Sequence, residues 1–129
     1  MKKVARIAAT AFALLAVLGV IAYSLFSDKA GCSIEHTAQL PFDSIAWQLG
    51  DHRVRFTNSL LAQLPSQKRA DVEALLGSPL YDGTQVGNYL TYLLLDRRWP
   101  ECGPISSRLL MDVWFDSNAV VSRVTVRHD

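Results

Sequence analysis

Two cysteines are the side chains of this chain with the clearest capacity for chemistry. A bridge between Cys32 and Cys102 would close a loop of about 70 residues, which contributes on the order of 4 kcal/mol in the chain-entropy model. Cys102 lies between Glu101 and Gly103, so no adjacent basic residue stabilises a thiolate there. The pattern favours a disulfide formed in an oxidising compartment over a free or catalytic thiol.

The three histidines do not form a recognisable site in the sequence. His36 falls in a polar stretch, His52 lies between two predicted helices, and His128 follows the last predicted strand. None has a metal-ligand spacing or a nucleophile beside it, and the pair Asp51 and His52 lacks a third ligand. No glycine-rich phosphate loop or Gly-x-Ser-x-Gly motif occurs. We predict no catalytic residue, no metal site, no cofactor and no enzymatic activity.

The charges are distributed unevenly along the chain. Of 13 basic residues, Lys2, Lys3 and Arg6 precede Phe26, whereas all 12 acidic residues follow it. The part after Phe26 therefore carries a net charge of about −2 at neutral pH. Such a domain has no basic field that would attract nucleic acid.

Residues 7–26 form a run without any charge, directly after the basic start at 1–6. As a helix this run would be roughly 30 Å long, which matches the hydrocarbon thickness of a bilayer. We expect a transmembrane helix or uncleaved signal anchor, with the basic end in the cytoplasm. The expected location is a single-pass protein of a bacterial inner membrane, with its domain in the periplasm.

Two other fates of this segment stay open. Ala22-Tyr23-Ser24 has the small-x-small form that signal peptidase prefers, so cleavage would release a periplasmic domain. Ala30-Gly31-Cys32 resembles the end of a lipoprotein signal, and lipidation of Cys32 would give a lipid-anchored outer-membrane protein. Lys29 replaces the apolar residue usual in that signal.

Helical patterns dominate the first half of the remaining chain. Residues 27–40 are predicted as a linker and 41–129 as one globular domain. Asp43 or Ser44 can cap a first helix that ends at Gly50, and a second helix must stop near Pro65. Ser66 can cap a third helix over 67–76. The first helix is expected to bury one apolar face, formed by Phe42, Ile45, Ala46 and Leu49.

After a predicted turn at 81–84, alternating patterns predict three strands, at 89–95, 108–115 and 120–127. The second of these strands has Leu109, Met111, Val113 and Phe115 on one face. The residues 116–119 between the last two have the length of a hairpin turn. Sequential strands joined in this way form an antiparallel meander, and the preceding helices would cover one face of it. The predicted fold class is α+β, with two to three helices packed on a three-stranded antiparallel meander sheet.

Apolar side chains are predicted on both faces of this sheet. In the first strand Tyr89, Leu93 and Leu95 lie on the face opposite to Leu90, Tyr92 and Leu94, and Trp114 shares the former face. Aromatic groups on an uncovered face suggest a protein partner. The alternative is burial under the loop 96–107. The predicted partner-binding residues are Tyr89, Leu93, Trp99 and Trp114.

The order of helices and strands, with several short motifs, resembles a known family. These motifs are the Leu-Leu-Gly-Ser-Pro run at 75–79, Tyr-Leu-Thr-Tyr-Leu-Leu at 89–94, Phe-Asp at 115–116 leading to Val121, Phe42-Asp43 with Trp47, and Leu60-Leu61. The chain is similar over about 41–126 to the BamE (SmpA/OmlA) family of small envelope lipoproteins, especially its uncharacterised relatives. It departs from that pattern at 66–68, and at Ala119, where glycine is usual. Asn118 is then the residue expected to adopt the left-handed conformation.

The resemblance implies a non-catalytic binding module of the cell envelope. The expectation is a membrane-tethered, periplasm-facing module that binds another envelope protein, and the resemblance suggests that it assists envelope or outer-membrane protein assembly. The alternative is a small inhibitor or ligand-binding protein, because helices on a sheet also resemble the layout of proteins that inhibit β-lactamase. The sequence names neither the partner nor the oligomeric state.

Overall fold

The computed structural model describes residues 2–26, 31–50, 52–98, 101–103 and 107–129. Within these ranges the fold is α+β, as predicted. The helices are α1 (Lys2–Phe26), α2 (Ser44–Leu49), a 3₁₀ helix (Arg53–Phe56), α3 (Thr57–Gln63) and α4 (Arg69–Leu76). A search of the described residues for a helix with the length and apolar character needed to cross a membrane finds none.

Helix α2 has the predicted ends but buries a different side. The Asp43 carboxylate accepts the backbone N–H groups of Ile45 and Ala46, and Gly50 ends the helix in a left-handed conformation. Of the predicted apolar face, Phe42 and Ala46 pack against the core, whereas Ile45 is 75% exposed and Leu49 is 74% exposed. Trp47 is buried instead, because its large ring fills the core and its indole N–H finds an acceptor there.

Helix α4 begins later than the sequence predicts. Ser66 has a φ of +70°, and Lys68 occupies the position before the first helical residue without any side-chain cap. The backbone of this segment bonds instead to the end of the hairpin turn: Val121 donates to the carbonyl of Gln67 at 2.8 Å. Pairing with the sheet thus delays the start of the helix.

The sheet has four antiparallel strands, one more than predicted. Strand β1 is Tyr81–Asp82, β2 is Tyr89–Arg97, β3 is Ser107–Phe115 and β4 is Val121–His128, arranged in chain order. The sequence indicated a turn at Tyr81 and Asp82, because two residues are too few to show an alternating pattern. These residues pair with Thr91 and Leu90 of β2, a contact that only the folded sheet provides.

The helices cover one face of the sheet, here called the inner face. Side chains of β2 and β3 on this face are buried together with residues of α2, the 3₁₀ helix, α3 and α4. Trp47 donates its Nε1–H to the carbonyl of Leu76 at 2.9 Å, and its ring centroid lies 6.3 Å from that of Tyr92. The inner-face side chains of β2 and β3 in this core are Leu90, Tyr92, Leu94, Leu109, Met111, Val113 and Phe115.

The predicted disulfide between Cys32 and Cys102 is present, with the two Cα atoms 5.3 Å apart. A sulfur held in this bond cannot also carry a thioether-linked lipid, so this pairing contradicts the alternative of lipidation at Cys32. The bridge also attaches residues 31–40, predicted as a linker, to the domain. Gln39 donates its side-chain N–H to the carbonyl of Val54, and Ile34 packs against the core.

The turn between β3 and β4 places the left-handed residue differently from the prediction. Ala119 has a φ of +57°, whereas Asn118 does not have a positive φ. The Asp116 carboxylate accepts hydrogen bonds from the backbone N–H groups of Asn118 and Val120, and these bonds hold Asn118 in a conformation without a positive φ. Ala119 must then adopt the conformation that glycine would adopt more easily.

Candidate binding face

The face of the sheet opposite to the helices carries a continuous group of side chains, here called the aromatic row. It consists of Tyr81, Tyr89, Trp114 and Arg123, one residue from each strand. The ring centroids of Tyr81 and Tyr89 are 6.1 Å apart, and those of Tyr89 and Trp114 are 4.6 Å apart. The Arg123 guanidinium lies 4.4 Å from the centroid of Trp114. The row therefore crosses the whole sheet.

The local sequence determines how this row is held. Tyr89 lies directly opposite Trp114, and Trp114 directly opposite Arg123, so the strand register alone brings three of the four side chains together. The turn before β2 closes over Tyr89, and a Cβ atom on Gly83 would overlap the Tyr89 ring. Trp114 also donates its Nε1–H to Thr125 at 3.1 Å. Packing and hydrogen bonding thus fix the rings while leaving them partly accessible.

A buried polar group lies beside the aromatic row. The Asp112 side chain accepts a hydrogen bond from the Thr91 hydroxyl at 2.6 Å and one from Arg127 Nε at 2.7 Å. Asp112 and Thr91 are nearly inaccessible, whereas Arg127 reaches the surface. The hydrogen bond to Asp112 raises the pKa of Arg127. The Arg127 guanidinium compensates the negative charge of Asp112, whose burial without a partner would destabilise the protein. The centre of the outer face is therefore polar.

Leucines continue the outer face beyond the polar group. Leu93 is half-buried, and it lies opposite Leu110, which is buried. Leu95 does not join them, contrary to the predicted alternation. A bulge between Leu93 and Leu95 shifts the register so that Leu95 pairs with Leu109 and packs against the core.

Three of the four predicted partner-binding residues therefore lie on one face: Tyr89, Leu93 and Trp114. Trp99 lies outside the described residues. The sequence prediction missed Tyr81, because β1 was not recognised, and Arg123. The alternation in β4 could have placed Arg123 beside Trp114, had the pairing register of the last hairpin been worked out.

One polar pair not predicted from the sequence resembles catalytic chemistry. Ser33 Oγ lies 2.9 Å from His36 Nδ1, next to a cavity of about 240 Å³ that Glu35 and His128 help to line. The same Ser33 oxygen accepts the backbone N–H of His36 at 3.1 Å, which is the geometry of a local serine turn.

Asp51, the neighbour of His52 in the sequence, lies outside the described residues. Across the described ranges, no three His, Cys, Asp or Glu side chains are grouped closely enough to bind a metal ion.

Comparison of this chain with protein-family models, curated proteins and solved structures finds no match.

Proposed function

We propose that this protein is a non-catalytic binding module tethered to the bacterial cell envelope, and that it binds another envelope protein through the outer face of its sheet. The observation that supports this proposal best is the aromatic row. Tyr81 is 49% exposed, and Tyr89 and Trp114 remain partly accessible, whereas Tyr92, Met111 and Val113 on the other face of the same sheet are buried. Rigid, partly exposed aromatic and arginine side chains are enriched where proteins bind proteins.

The resemblance to the BamE family agrees with this proposal. It implies a periplasmic module that contributes contacts rather than catalysis, and it suggests the assembly of outer-membrane proteins as the process that this module assists. The disulfide adds support for an oxidising compartment such as the periplasm, because such bonds are rare in a reducing cytoplasm.

The tether that we propose is the charge-free run 7–26. Within α1 the described apolar side chains point away from any core, and Phe12 is 77% exposed. An exposed apolar surface of this extent requires a cover, and a bilayer matches the charge pattern. The large exposed side chains are Ile7, Phe12, Leu14, Leu15, Val17, Leu18 and Val20.

The binding proposal is tested by photo-crosslinking in living bacteria. A photoreactive residue replaces Thr125, which lies beside Trp114 and is exposed, and the same residue is placed at exposed Ala62 of α3 as a control. We expect a crosslinked partner from position 125 only, and we expect Trp114→Ala to abolish it. Ile45→Ala, which removes an apolar side chain exposed on α2, should leave the crosslink intact. Loss with Ile45→Ala and not with Trp114→Ala would refute the proposed face.

The tether is tested by the intact mass of membrane-extracted protein. We expect the full-length chain, resistant to alkaline carbonate extraction, with a mass that rises by about two protons on reduction of the disulfide. A chain that begins after Ser24 would show cleavage, and a soluble fraction without carbonate treatment would refute the tether.

A further inference from the structure

Strand β4 forms one edge of the sheet, and most of this edge has no backbone partner among the described residues. Asp129 donates its N–H to the carbonyl of Arg108 at 2.9 Å, which sets the alternation of hydrogen bonds along the β3–β4 pair. Arg123, Thr125 and Arg127 therefore bond to β3. The N–H and C=O groups of Val124 and Val126 point away from the sheet.

The chain itself already extends the sheet at the beginning of this edge. Val121 donates to the carbonyl of Gln67 at 2.8 Å, and Ser66 donates to the carbonyl of Val121 at 3.1 Å. An isolated bridge joins Lys68 to Val120. Because this pairing is antiparallel, the chain beside β4 runs from Lys68 back to Ser66 and then meets the end of α3, so the edge from Arg123 onward has no adjacent strand in the described part of the chain.

The charges along the open edge indicate which kind of strand would fit. Strand β4 contains Arg123 and Arg127 but no acidic residue. Arg127 is bonded to Asp112, whereas Arg123 lies over Trp114 without a carboxylate within hydrogen-bond distance in the described structure. A guanidinium held over an aromatic ring presents its N–H groups outward in the plane that a carboxylate recognises.

We propose that the β4 edge binds an extended acidic segment of a partner protein by strand addition, with a carboxylate of that segment bonded to Arg123. This inference rests on the proposed function and specifies the chemistry of the partner. A second copy of the chain is the competing occupant, which the test below distinguishes, and in the symmetric register about Thr125 it fits less well. Two β4 strands paired about Thr125 would place Arg123 of one copy opposite Arg127 of the other, and like charges in that position repel.

The test uses the full-length protein in non-ionic detergent and a short synthetic peptide in which valine alternates with glutamate. A matched peptide has lysine in place of every glutamate. We expect the acidic peptide to bind and to slow amide hydrogen exchange at Val124 and Val126, and the basic peptide to do neither. Arg123→Glu should weaken binding at least about tenfold, because it replaces a charge-assisted hydrogen bond by repulsion.

A second pair of variants tests the backbone bonds. Val124→Pro removes an N–H that points to the open edge, and Val124→Ala removes similar packing but keeps the N–H. The proline variant should bind the acidic peptide at least about tenfold more weakly than the alanine variant, at equal thermal stability. Equal binding by these two variants, or equal binding of both peptides, would overturn strand addition.

Two further results would also overturn the proposal. Protection of Val124 and Val126 that increases with protein concentration in the absence of peptide would show that a second copy occupies the edge. A crosslinked partner that depends on Trp114 but not on the Val124 N–H would leave the proposed function standing and refute this edge. If the protein with the photoreactive residue at position 125 and no other substitution gives no crosslinked partner, the proposed function itself is refuted.

Discussion

The two faces of the sheet are formed by the same strands, but their side chains differ in burial. On the inner face the central side chains of β2 and β3 are buried, and the Tyr92 hydroxyl donates to the carbonyl of Gly77 at the end of α4. On the outer face aromatic rings remain partly accessible around a neutralised carboxylate, Asp112. Side-chain parity within one sheet therefore separates the side chains that form the core from those of the proposed binding face.

Trp47 on the inner face and Trp114 on the outer face give the strongest test of this separation. Trp47→Ala should reduce the free energy of unfolding by about 3–5 kcal/mol, because it leaves a cavity in the core and removes the bond to the carbonyl of Leu76. Trp114→Ala should cost about 1 kcal/mol, since its ring is only half-buried. Urea unfolding measures both values. Equal losses would show that the outer face is also structural.

Removal of the disulfide tests how firmly residues 31–40 are attached beside the inner face. The double variant Cys32→Ala/Cys102→Ala should lose about 2–4 kcal/mol of stability, because the unfolded chain regains the freedom of a loop that the bond closes. Wild-type protein unfolded in the presence of a reductant is the control and should show a similar loss. An unchanged urea midpoint would mean that this segment holds its place without the bond.

Tyr92 offers a test of burial by pH. Burial, with a smaller contribution from Glu73, raises the pKa of Tyr92 to about 12. The unfolded chain releases this proton near pH 10, so the stabilising difference is complete below about pH 10 and is lost as the pH rises toward 12.

Tyr92→Phe should remove this alkaline loss. At pH 7 it should cost only about 1 kcal/mol, for the hydrogen bond to the carbonyl of Gly77. Urea midpoints between pH 7 and 11 measure the effect, with Tyr81→Phe as the exposed control. A parallel pH dependence of wild type and Tyr92→Phe would contradict the assigned burial.

The smallest effect on stability is expected from substitutions in the turn between β3 and β4, which belongs to neither face. Ala119→Gly should stabilise the protein by about 0.5–1 kcal/mol, because glycine adopts a φ of +57° without the strain of a Cβ atom. Asn118→Gly is the matched control and should not stabilise, since Asn118 does not have a positive φ. Thermal melts compare the two. Stabilisation by Asn118→Gly instead would show that the left-handed residue is misplaced.

The sequence predicted the regular parts of the fold because they depend on local signals. The alternating pattern in β3 placed Leu109, Met111, Val113 and Phe115 on one face, and all four are buried. Asp43 and Gly50 marked the ends of α2 because capping involves only neighbouring backbone. The aromatic face was predicted for the same reason, since strand parity is local.

Most misplaced features depend on contacts between distant residues, whereas the left-handed residue of the β3–β4 turn was misplaced because of local bonds to Asp116. Strand β1 forms only because β2 offers an edge, and Trp47 is buried because Leu76 supplies an acceptor. The start of α4 is set by bonds to Val121 rather than by its own cap.

By itself, then, the sequence determined the α+β class, the parity of the strands and the presence of two cysteines able to pair. Only the tertiary structure decided the fourth strand, the pairing of Cys32 with Cys102, and the alignment of Tyr81 and Arg123 with Tyr89 and Trp114. The reason is physical. Parity and caps depend on residues within one turn or strand, whereas register and bridges require segments far apart in the chain to meet.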